Sequence, residues 1–353
     1  MTGSSSFDLR CTYSSAEQPD AHAKRREEAL GVICFAPDGS RSGHAIPGIP
    51  FAHVPMPALD PAGGQSVVHE TWHDGGVLDQ GNRAGIHYAH NDAILFGIIQ
   101  LSEAEFDGNG AQTGKTPLQA AAESAYRAIF AATDALHFPI ILRFWNYIAD
   151  INGNSHGIER YRQFNIGRQD GFLASGHAIT GSVPAASAVG FATGPLTVSF
   201  LAGRSVTPVA VENPRQVSAY RYPTDYGPRS PTFSRASIVR MDDRDIMFLS
   251  GTASIVGHRS LHEGDVVAQT RETLANIRAV VSEANRAAPH AGFTPGDLCY
   301  KVYVRHREHV GAIHEELRRE LGASARFVFL QADICREDLL VEIEAIANHP
   351  RMR

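Results

Sequence analysis

One order of predicted elements occurs twice along the sequence, and it limits the possible folds more than any other feature. The order is strand, helix, strand, helix and two strands. In the first copy the elements are predicted at residues 92–99, 116–136, 139–148, 158–173, 196–201 and 206–211. In the second copy they are predicted at residues 245–255, 264–288, 298–304, 308–321, 325–331 and 339–346. The strands are short apolar runs, and the helices have apolar residues at steps of three and four.

The predicted helices carry recognisable end signals. Thr116, Pro117 and Gln119 occupy the N-cap, N1 and N3 positions of the first helix, which is a capping-box arrangement. Gly322 follows the last helix at its C′ position. These signals support the boundaries that the apolar periodicity indicates.

Two β-α-β-α-β-β units predict a duplicated α+β fold. We expect a first, degenerate unit at residues 86–215 and a second unit with the catalytic residues at 216–353. Residues 1–85, rich in Gly, Pro and His, predict an irregular extension with a few strands, packed on the first unit. Each unit would place its helices on one sheet face. The other apolar face would need a cover, and oligomerisation is the usual one.

Composition and charge exclude several classes of function. The chain has 353 residues and a net charge of −6, without a basic block, so nucleic-acid binding is not expected. No apolar run is as long as a membrane span, and the N-terminus has no secretory apolar region, which predicts a soluble cytoplasmic protein. The four cysteines are scattered, as is typical of reduced thiols.

Motifs for common cofactors do not fit. The run GNGAQTGKT at residues 108–116 resembles a phosphate-binding loop, but its glycine spacing is wrong for one. His87 and His90, and His258 and His262, lack the pattern of a known metal site. The sequence also has no GxSxG or GxGxxG motif. We therefore expect neither a metal nor a cofactor.

Two carboxylates stand out near the C-terminus. Glu342 and Glu344 alternate with apolar residues in the run LLVEIEAIA, so both lie on one face of a predicted strand. This pattern fits a solvated strand face. It also fits a general acid or base in a cleft.

Two further segments combine arginine with tyrosine. The first, IERYRQFNIGR at residues 158–168, contains Arg160, Tyr161 and Arg162, and it fits either a salt-bridged helix face or a binding site. The second, YRYPTDYGPRSPTFSR at residues 220–235, predicts a structured loop that presents Tyr226 and Arg229 as a ligand clamp.

The C-terminal part resembles the RidA (YjgF-like) imine deaminases. The runs GDVVAQTRETLANIRAVV and ARFVFLQADICREDLLVEIEAIA carry the resemblance, which covers about residues 235–350. It implies a RidA/chorismate-mutase-like fold and a homotrimer with its clefts at subunit interfaces. On this sequence the cleft residues of that family map to Arg326 and Glu342.

A more specific resemblance covers about residues 80–350. The runs LRFWNYIADIN, ERYRQFNIGRQDGF, PAASAVG and YGPRSPTFSRA, together with the RidA-like end, resemble the chorismatase family. This implies release of pyruvate from chorismate without metal or cofactor. Arg162, Arg229 and Arg326, with Arg160 in reserve, would bind the two substrate carboxylates, since Arg binds a carboxylate through two parallel hydrogen bonds.

The resemblance also assigns the remaining roles. Tyr161 and Tyr226 would bond the ring hydroxyl or a carboxylate. Glu342 would protonate the enolpyruvyl methylene. Cys335 with Gly251 resembles the branch of the family that forms 3-hydroxybenzoate, for use in secondary metabolism, although Cys335 also fits simple packing. Three alternatives stay open: a hydrolytic chorismatase that forms 3,4-dihydroxycyclohexa-1,5-diene carboxylate, an enamine/imine deaminase, and a non-catalytic metabolite-binding protein.

Overall fold

Three larger β-sheets, two two-stranded sheets and four long helices form the described part of the computed structural model. It describes residues 9–15, 29–40, 48–107, 114–241 and 244–350, with side chains up to Asn348. Most of the loop-like run at 108–116 lies outside these ranges. The long helices are α1 (Pro117–Ala135), α2 (Arg160–Ala174), α3 (Val266–Ala287) and α4 (Val310–Leu321). The sequence predicts all four to within a few residues.

The strands up to residue 101 are β1 (Arg10–Ser15), β2 (Ala29–Phe35), β3 (Phe51–Val54), β4 (Ala58–Leu59), β5 (Gln65–Ser66), β6 (Val68–His73), β7 (Asp79–Arg83), β8 (Ile86–His90) and β9 (Ile94–Leu101). The middle strands are β10 (Ile140–Ala149), β11 (Asn154–Ser155), β12 (Ile158–Glu159), β13 (Ala185–Phe191), β14 (Leu196–Gly203) and β15 (Val209–Val211). The later strands are β16 (Ala236–Met241), β17 (Arg244–Ala253), β18 (Ile255–Val256), β19 (Arg259–Ser260), β20 (Cys299–Val304), β21 (Arg326–Gln331) and β22 (Val341–Pro350).

The two larger sheets share one strand order. The first runs β13-β10-β14-β9-β8-β7. Read in the matching direction, the second runs β21-β20-β22-β17-β16-β15, and β4 and β5 extend it beyond β21. In both, the two strands that flank the second helix, β10 with β13 and β20 with β21, pair in parallel. The last strand, β14 or β22, pairs antiparallel with its neighbours on both sides. Both units therefore arrange their strands in the same way.

Helix α1 begins and packs as its sequence predicts. The Thr116 hydroxyl accepts a hydrogen bond of 3.2 Å from the Gln119 N–H, and Pro117 opens the first turn. Helix α2 lies very close to α1 at Gly167, where a Cβ atom would come within 2.9 Å of the Ala122 side chain. This close approach holds the N-terminal half of α2 over one end of the first sheet.

The last two strands of the first unit differ from the prediction. The unit closes with β13 and β14, whereas β15, part of the predicted strand at 206–211, pairs with β16 in the second sheet. Strand β13 has the sequence AASAVGF, and its small residues give no clear apolar signal. It is buried because other elements cover both of its faces.

The apolar sheet faces are covered within the chain, so the prediction of an uncovered face is wrong. Helices α1 and α2 cover one face of the first sheet, and α3 and α4 cover one face of the second. The opposite faces share one core, to which Trp145, Phe248 and Leu201 belong. Strands of the N-terminal region contribute Phe35 and Trp72 to the same core.

The N-terminal region is more regular than predicted. Its strands form a third sheet in the order β1-β6-β2-β3, and β4 extends the second sheet next to β21. Strand β2, with the sequence ALGVICF, is buried along its whole length. No helix among the described residues is long and apolar enough to cross a membrane.

Four buried charges connect the three sheets inside the shared core. Lys301 Nζ in β20 lies 2.5 Å from Glu70 Oε2 in β6 and 2.8 Å from Glu344 Oε1 in β22. Arg143 Nη2 in β10 lies 2.9 Å from Glu344 Oε2. Burial lowers the pKa of Lys301, but Glu344 and then Glu70 outweigh this effect and raise the pKa. The four side chains form an alternating network of two cations and two anions.

Substitution of Lys301 by Met should destabilise the protein strongly, because it leaves Glu70 buried without its cation and removes one cation from Glu344. We expect the free energy of unfolding to fall by about 3–5 kcal/mol. The matched control is Lys115→Met, since Lys115 pairs with Glu123 and Asp170 near the surface. That change should cost at most about 1 kcal/mol. Urea unfolding followed by circular dichroism gives both values, and equal losses would contradict a special role of the buried network.

Candidate active site

A cavity of about 540 Å³ opens where the two units meet. The first unit lines it with Tyr161 and Arg168 of α2 and Ser187 of β13. The second unit lines it with Gly251 of β17 and Glu342 of β22. Strand β13 reaches the second unit through bridges from Ala185 to Ser234 and from Gly190 to Asp333. Both units therefore build one site.

Glu342 is a buried carboxyl group with a strongly perturbed pKa. Burial, and after it the negative charge of Glu344, raises the pKa of Glu342 to about 8, against the opposing effect of Arg143, Cys335 and Arg235. The group therefore keeps its proton at neutral pH inside the cavity. A protonated carboxyl that faces an enclosed space can act as a general acid.

Glu344 lies two residues further along the same strand and has the opposite behaviour. Burial raises its pKa, but Lys301 and then Arg143 outweigh this and lower the pKa to about 2. Trp145 Nε1 also donates a 2.9 Å hydrogen bond to Glu344 Oε1. As predicted, both carboxylates lie on one face of the strand, and Val341, Ile343 and Ala345 on the other face pack against the helices. The prediction of a solvated face is wrong, because the core of the neighbouring sheets covers it.

Gly251 makes room for the Glu342 carboxyl group. A Cβ atom at this position would collide with Glu342 Oε1 and come within 2.8 Å of Glu342 Cδ. It would also lie 3.3 Å from the Ser187 side chain. The Glu342 carboxyl group can therefore lie at this position because residue 251 has no side chain.

Cys335 lies beside Glu342 on the loop between β21 and β22. Its Sγ is 3.8 Å from Glu342 Oε2. Burial, and after it the nearby Glu342, raises the pKa of the Cys335 thiol well above its usual range. Cys335 is therefore a neutral thiol in the cavity at neutral pH, and it can relay a proton more readily than it can attack as a thiolate.

Three arginines on the cavity wall have N–H groups without a hydrogen-bond partner among the described residues: Nε and Nη2 of Arg168, Nε of Arg235 and Nη2 of Arg336. Arg168 is 2% exposed and Arg235 is 3% exposed. Arg336 lies over the Tyr226 ring, 4.1 Å from its centroid. Unpaired guanidinium N–H groups in a buried wall are suited to bind an anionic ligand.

Six of the residues predicted from the sequence line the cavity: Tyr161, Arg162, Tyr226, Gly251, Cys335 and Glu342. Their convergence depends on the contact between the two units. Arg162 Nε also pairs with Glu159 at 3.0 Å, and Tyr226 OH lies 3.2 Å from His258 Nδ1.

Three predicted arginines do not line the cavity. Arg160 pairs with Glu103 and donates to the Ala149 carbonyl, so its hydrogen bonds are used in the fold. Arg229 is exposed on its loop. Arg326 is exposed at the start of β21 and pairs with Cys299, whereas Glu342 lies near the other end of the same sheet.

The cavity arginines that replace them lie close by in sequence. Arg168 and Arg235 each end a segment that the sequence singles out, and Arg336 follows Cys335. The arginine and tyrosine content of these segments could have indicated Arg168 and Arg235 as candidate binding residues. Which arginine turns inward depends on packing: Arg168 stacks over Phe144, 5.6 Å from the ring centroid.

The described residues contain no group of three or more His, Cys, Asp and Glu side chains that could hold a metal ion. What the cavity does contain is a protonated carboxyl, a neutral thiol and several arginines. Together these groups are suited to acid chemistry on a small anion.

Comparisons with known proteins identify the family of this enzyme. A family model described as chorismatase FkbO/Hyg5-like, N-terminal, matches residues 70–202. A chorismatase of Streptomyces hygroscopicus is 34% identical over 341 residues, which are 95% of this chain and 93% of that protein. A 3-hydroxybenzoate synthase of Streptomyces hygroscopicus is 38% identical over 285 residues, 78% of this chain and 80% of that one.

A solved structure shows the same architecture. The crystal structure of a chorismatase at 1.08 Å resolution matches with a TM-score of 0.85 and 32% identity, and the match covers 96% of this chain and 98% of the other. The chain belongs to the chorismatase family.

Glu342→Gln and Glu344→Gln should have opposite effects on stability. Because the pKa of Glu342 is raised, the unfolded chain loses this proton above pH 4.5 while the native protein keeps it up to about pH 8. The free energy of unfolding of the wild type therefore decreases as pH rises through this range. Glu342→Gln lacks this titration and should be the more stable protein at pH 8. Glu344→Gln should be less stable at pH 5, since Glu344 is ionised in both states there and loses its pairing with Lys301 and Arg143. Its deficit should narrow toward pH 8, because removal of the Glu344 charge also lowers the pKa of Glu342. Urea unfolding of the three proteins between pH 5 and pH 9 measures this, and parallel curves for wild type and Glu342→Gln would contradict the raised pKa.

Proposed function

We propose that this enzyme converts chorismate to 3-hydroxybenzoate and pyruvate. The observation that carries the proposal is the protonated Glu342 carboxyl, which shares a 540 Å³ cavity with a neutral Cys335 thiol and arginines that have unpaired N–H groups. The similarity to a protein named 3-hydroxybenzoate synthase supports the same product. The reaction divides chorismate into two products without adding any atom, since chorismate contains all the atoms of both.

Chorismate is a dianion with two carboxylates, and the cavity offers cations for both. Arg168 and Arg235 are buried, and Arg162 and Arg336 also line the wall. We assign the two carboxylates to this group, in place of Arg160, Arg229 and Arg326. Tyr161 and Tyr226 line the same wall, so either can bond the ring hydroxyl or a carboxylate.

The first chemical step is proton transfer from the Glu342 carboxyl to the methylene carbon of the enolpyruvyl ether. This forms a C–H bond and leaves an oxocarbenium ion. Carbon is a weak base, so the acid must be close and shielded from water, and burial provides this shielding. The carboxylate that remains on Glu342 lies in the field of Arg143 and Arg235, which favour its charged form.

The second step decides the product. In the 3-hydroxybenzoate course, the ring hydroxyl oxygen attacks the carbon that bears the ether, the bond from that carbon to the ether oxygen breaks, and pyruvate leaves. The hydroxyl proton passes to the Glu342 carboxylate. The epoxide-like intermediate then opens with protonation of its oxygen and loss of a ring proton. In the hydrolytic course, water attacks the oxocarbenium ion, and the dihydroxycyclohexadiene carboxylate retains both ring oxygens. We assign proton relay during ring opening to the Cys335 thiol, which lies 3.8 Å from the Glu342 carboxyl.

We also infer that the units predicted at residues 86–215 and 216–353 are two copies of one β-α-β-α-β-β unit, with the boundary moved to before β15, which pairs in the second sheet. The equal strand order of their sheets supports this. The first copy contributes part of the shared site. The homotrimer, which the resemblance to RidA proteins implies, and the cytoplasmic location stay predictions. The covered sheet faces remove the separate argument that an exposed apolar face requires oligomerisation.

Glu342→Gln should lower kcat for pyruvate release from chorismate by about 100- to 10,000-fold, the usual contribution of a general acid. For the wild type, kcat/KM should fall as pH rises above about 8, because the acid loses its proton there. The measurement is incubation with chorismate without added metal or cofactor, followed by a pyruvate assay and chromatography. The control is Glu337→Gln, an exposed carboxylate at the cavity.

Three outcomes of this incubation would contradict parts of the proposal. The diene product from the wild type would keep the family chemistry but favour hydrolysis. Intact chorismate, together with ammonia release from an amino-acid-derived imine, would favour a deaminase. Binding of chorismate without turnover would favour a metabolite-binding protein.

Cys335→Ala should shift the product toward the dihydroxycyclohexadiene carboxylate while pyruvate is still released. The shift is expected because the ring-opening step loses its proton relay, whereas Glu342 stays in place. Chromatographic product ratios measure it, with Cys299→Ala as the control because Cys299 does not line the cavity. An unchanged ratio in Cys335→Ala would remove the thiol from the mechanism.

A further inference from the structure

The loop at residues 332–340, between β21 and β22, carries Cys335 and Arg336 into the cavity. Gln269 and Asn152 hydrogen-bond this loop from outside the cavity. Arg305 makes more side-chain hydrogen bonds to it than any other described residue. Arg305 follows β20 and is 9% exposed. Arg305 Nη2 donates to the carbonyl oxygens of Ile334 at 3.1 Å and of Arg336 at 2.8 Å. These are the two peptide carbonyls that flank Cys335.

The remaining donors of Arg305 fix the two ends of the same loop. Nε donates to the Leu339 carbonyl at 2.7 Å, and Nη1 donates to Asp333 Oδ1 at 2.8 Å. The backbone N–H of Arg305 donates to the Leu340 carbonyl at 3.1 Å. The guanidinium therefore sits at the centre of the loop and bonds its start, its middle and its end.

The first unit reinforces this arrangement from the other side. Asn152 accepts a 3.1 Å hydrogen bond from Arg305 Nη1 and donates to the Ile334 carbonyl at 3.0 Å. Gly190 exchanges two backbone hydrogen bonds with Asp333, at 2.7 and 2.9 Å. The position of Cys335 thus depends on the contact between the units. Arg305 hydrogen-bonds both the loop of Cys335 and Asn152 of the first unit.

We propose that Arg305 is a positioning residue that fixes the Cys335 thiol against Glu342 and thereby sets the partition between the two products. Its planar fork of five donors is suited to bond several carbonyls at once, which an ammonium group is not. The inference rests on the proposed function, because the partition has meaning only if Cys335 acts in product formation. Arg305 itself does not line the cavity.

The first test is a double-mutant cycle on product ratio, run well below the melting temperature of each variant. Arg305→Met should raise the ratio of the diene product to 3-hydroxybenzoate by about tenfold. In the Cys335→Ala background, Arg305→Met should change that ratio no further, since the residue acts through the thiol. Arg305→Lys should behave like Arg305→Met. The control is Arg278→Met, which removes a surface pair with Glu320.

Two results of the cycle would overturn the proposal. One is an unchanged product ratio in Arg305→Met. The other is a wild-type ratio in Arg305→Lys, which would show that charge alone is sufficient. A lower melting temperature with an unchanged ratio would assign Arg305 a purely structural role.

The second test does not depend on turnover, so it separates this inference from the proposed function. Iodoacetamide alkylates Cys335 slowly when the thiol is buried and held neutral, and peptide mass spectrometry follows this rate. Arg305→Met should accelerate alkylation of Cys335 severalfold, and Arg278→Met should not. An equal rate in wild type and Arg305→Met would overturn the proposal even if chorismate is the substrate. If the wild type forms no 3-hydroxybenzoate, the proposed function fails, and the alkylation rate still decides whether Arg305 positions the thiol.

Discussion

The buried network of Glu70, Arg143, Lys301 and Glu344 is the constraint on which the rest of the structure depends. Each member is almost fully buried, and together they come from all three sheets. A charge in such a core is tolerated only with its partners, so the sheets must dock together in one register. The network also has a chemical consequence. It keeps Glu344 ionised, and this fixed negative charge helps to keep the neighbouring Glu342 protonated.

The shared strand order does not give the two units equal roles. Strand β22 of the second unit brings two carboxylates into the core, whereas β14, with the sequence LTVSFLAG, brings none. The first unit instead supplies Arg168, Tyr161 and the small side chains of β13, which form a wall of the cavity. In the proposed mechanism, one unit thus carries the acid, and the other supplies part of the binding surface. The cavity is complete only where they meet.

Close packing rather than flexibility sets the geometry around the acid. Gly251 leaves space that the Glu342 carboxyl occupies, and the loop of Cys335 is held on both sides by hydrogen bonds. Such a site holds its reacting groups before the substrate arrives, which lowers the cost of reaching the reactive arrangement. The same burial that perturbs the pKa of Glu342 also keeps Cys335 neutral.

The sequence by itself determined the four long helices, the alternation that places Glu342 and Glu344 on one strand face, and six of the residues that line the cavity. These features are local, because helix periodicity, capping and strand alternation depend on neighbours along the chain. Tertiary structure alone decided that β13 closes the first sheet, that the N-terminal strands cover the core, and that Arg168, Arg235 and Arg336 face the cavity in place of Arg160, Arg229 and Arg326. An arginine has the same appearance in a sequence whether its N–H groups bond Glu103, as in Arg160, or stay unpaired in a wall, as in Arg168. Only the tertiary packing around each side chain distinguishes them.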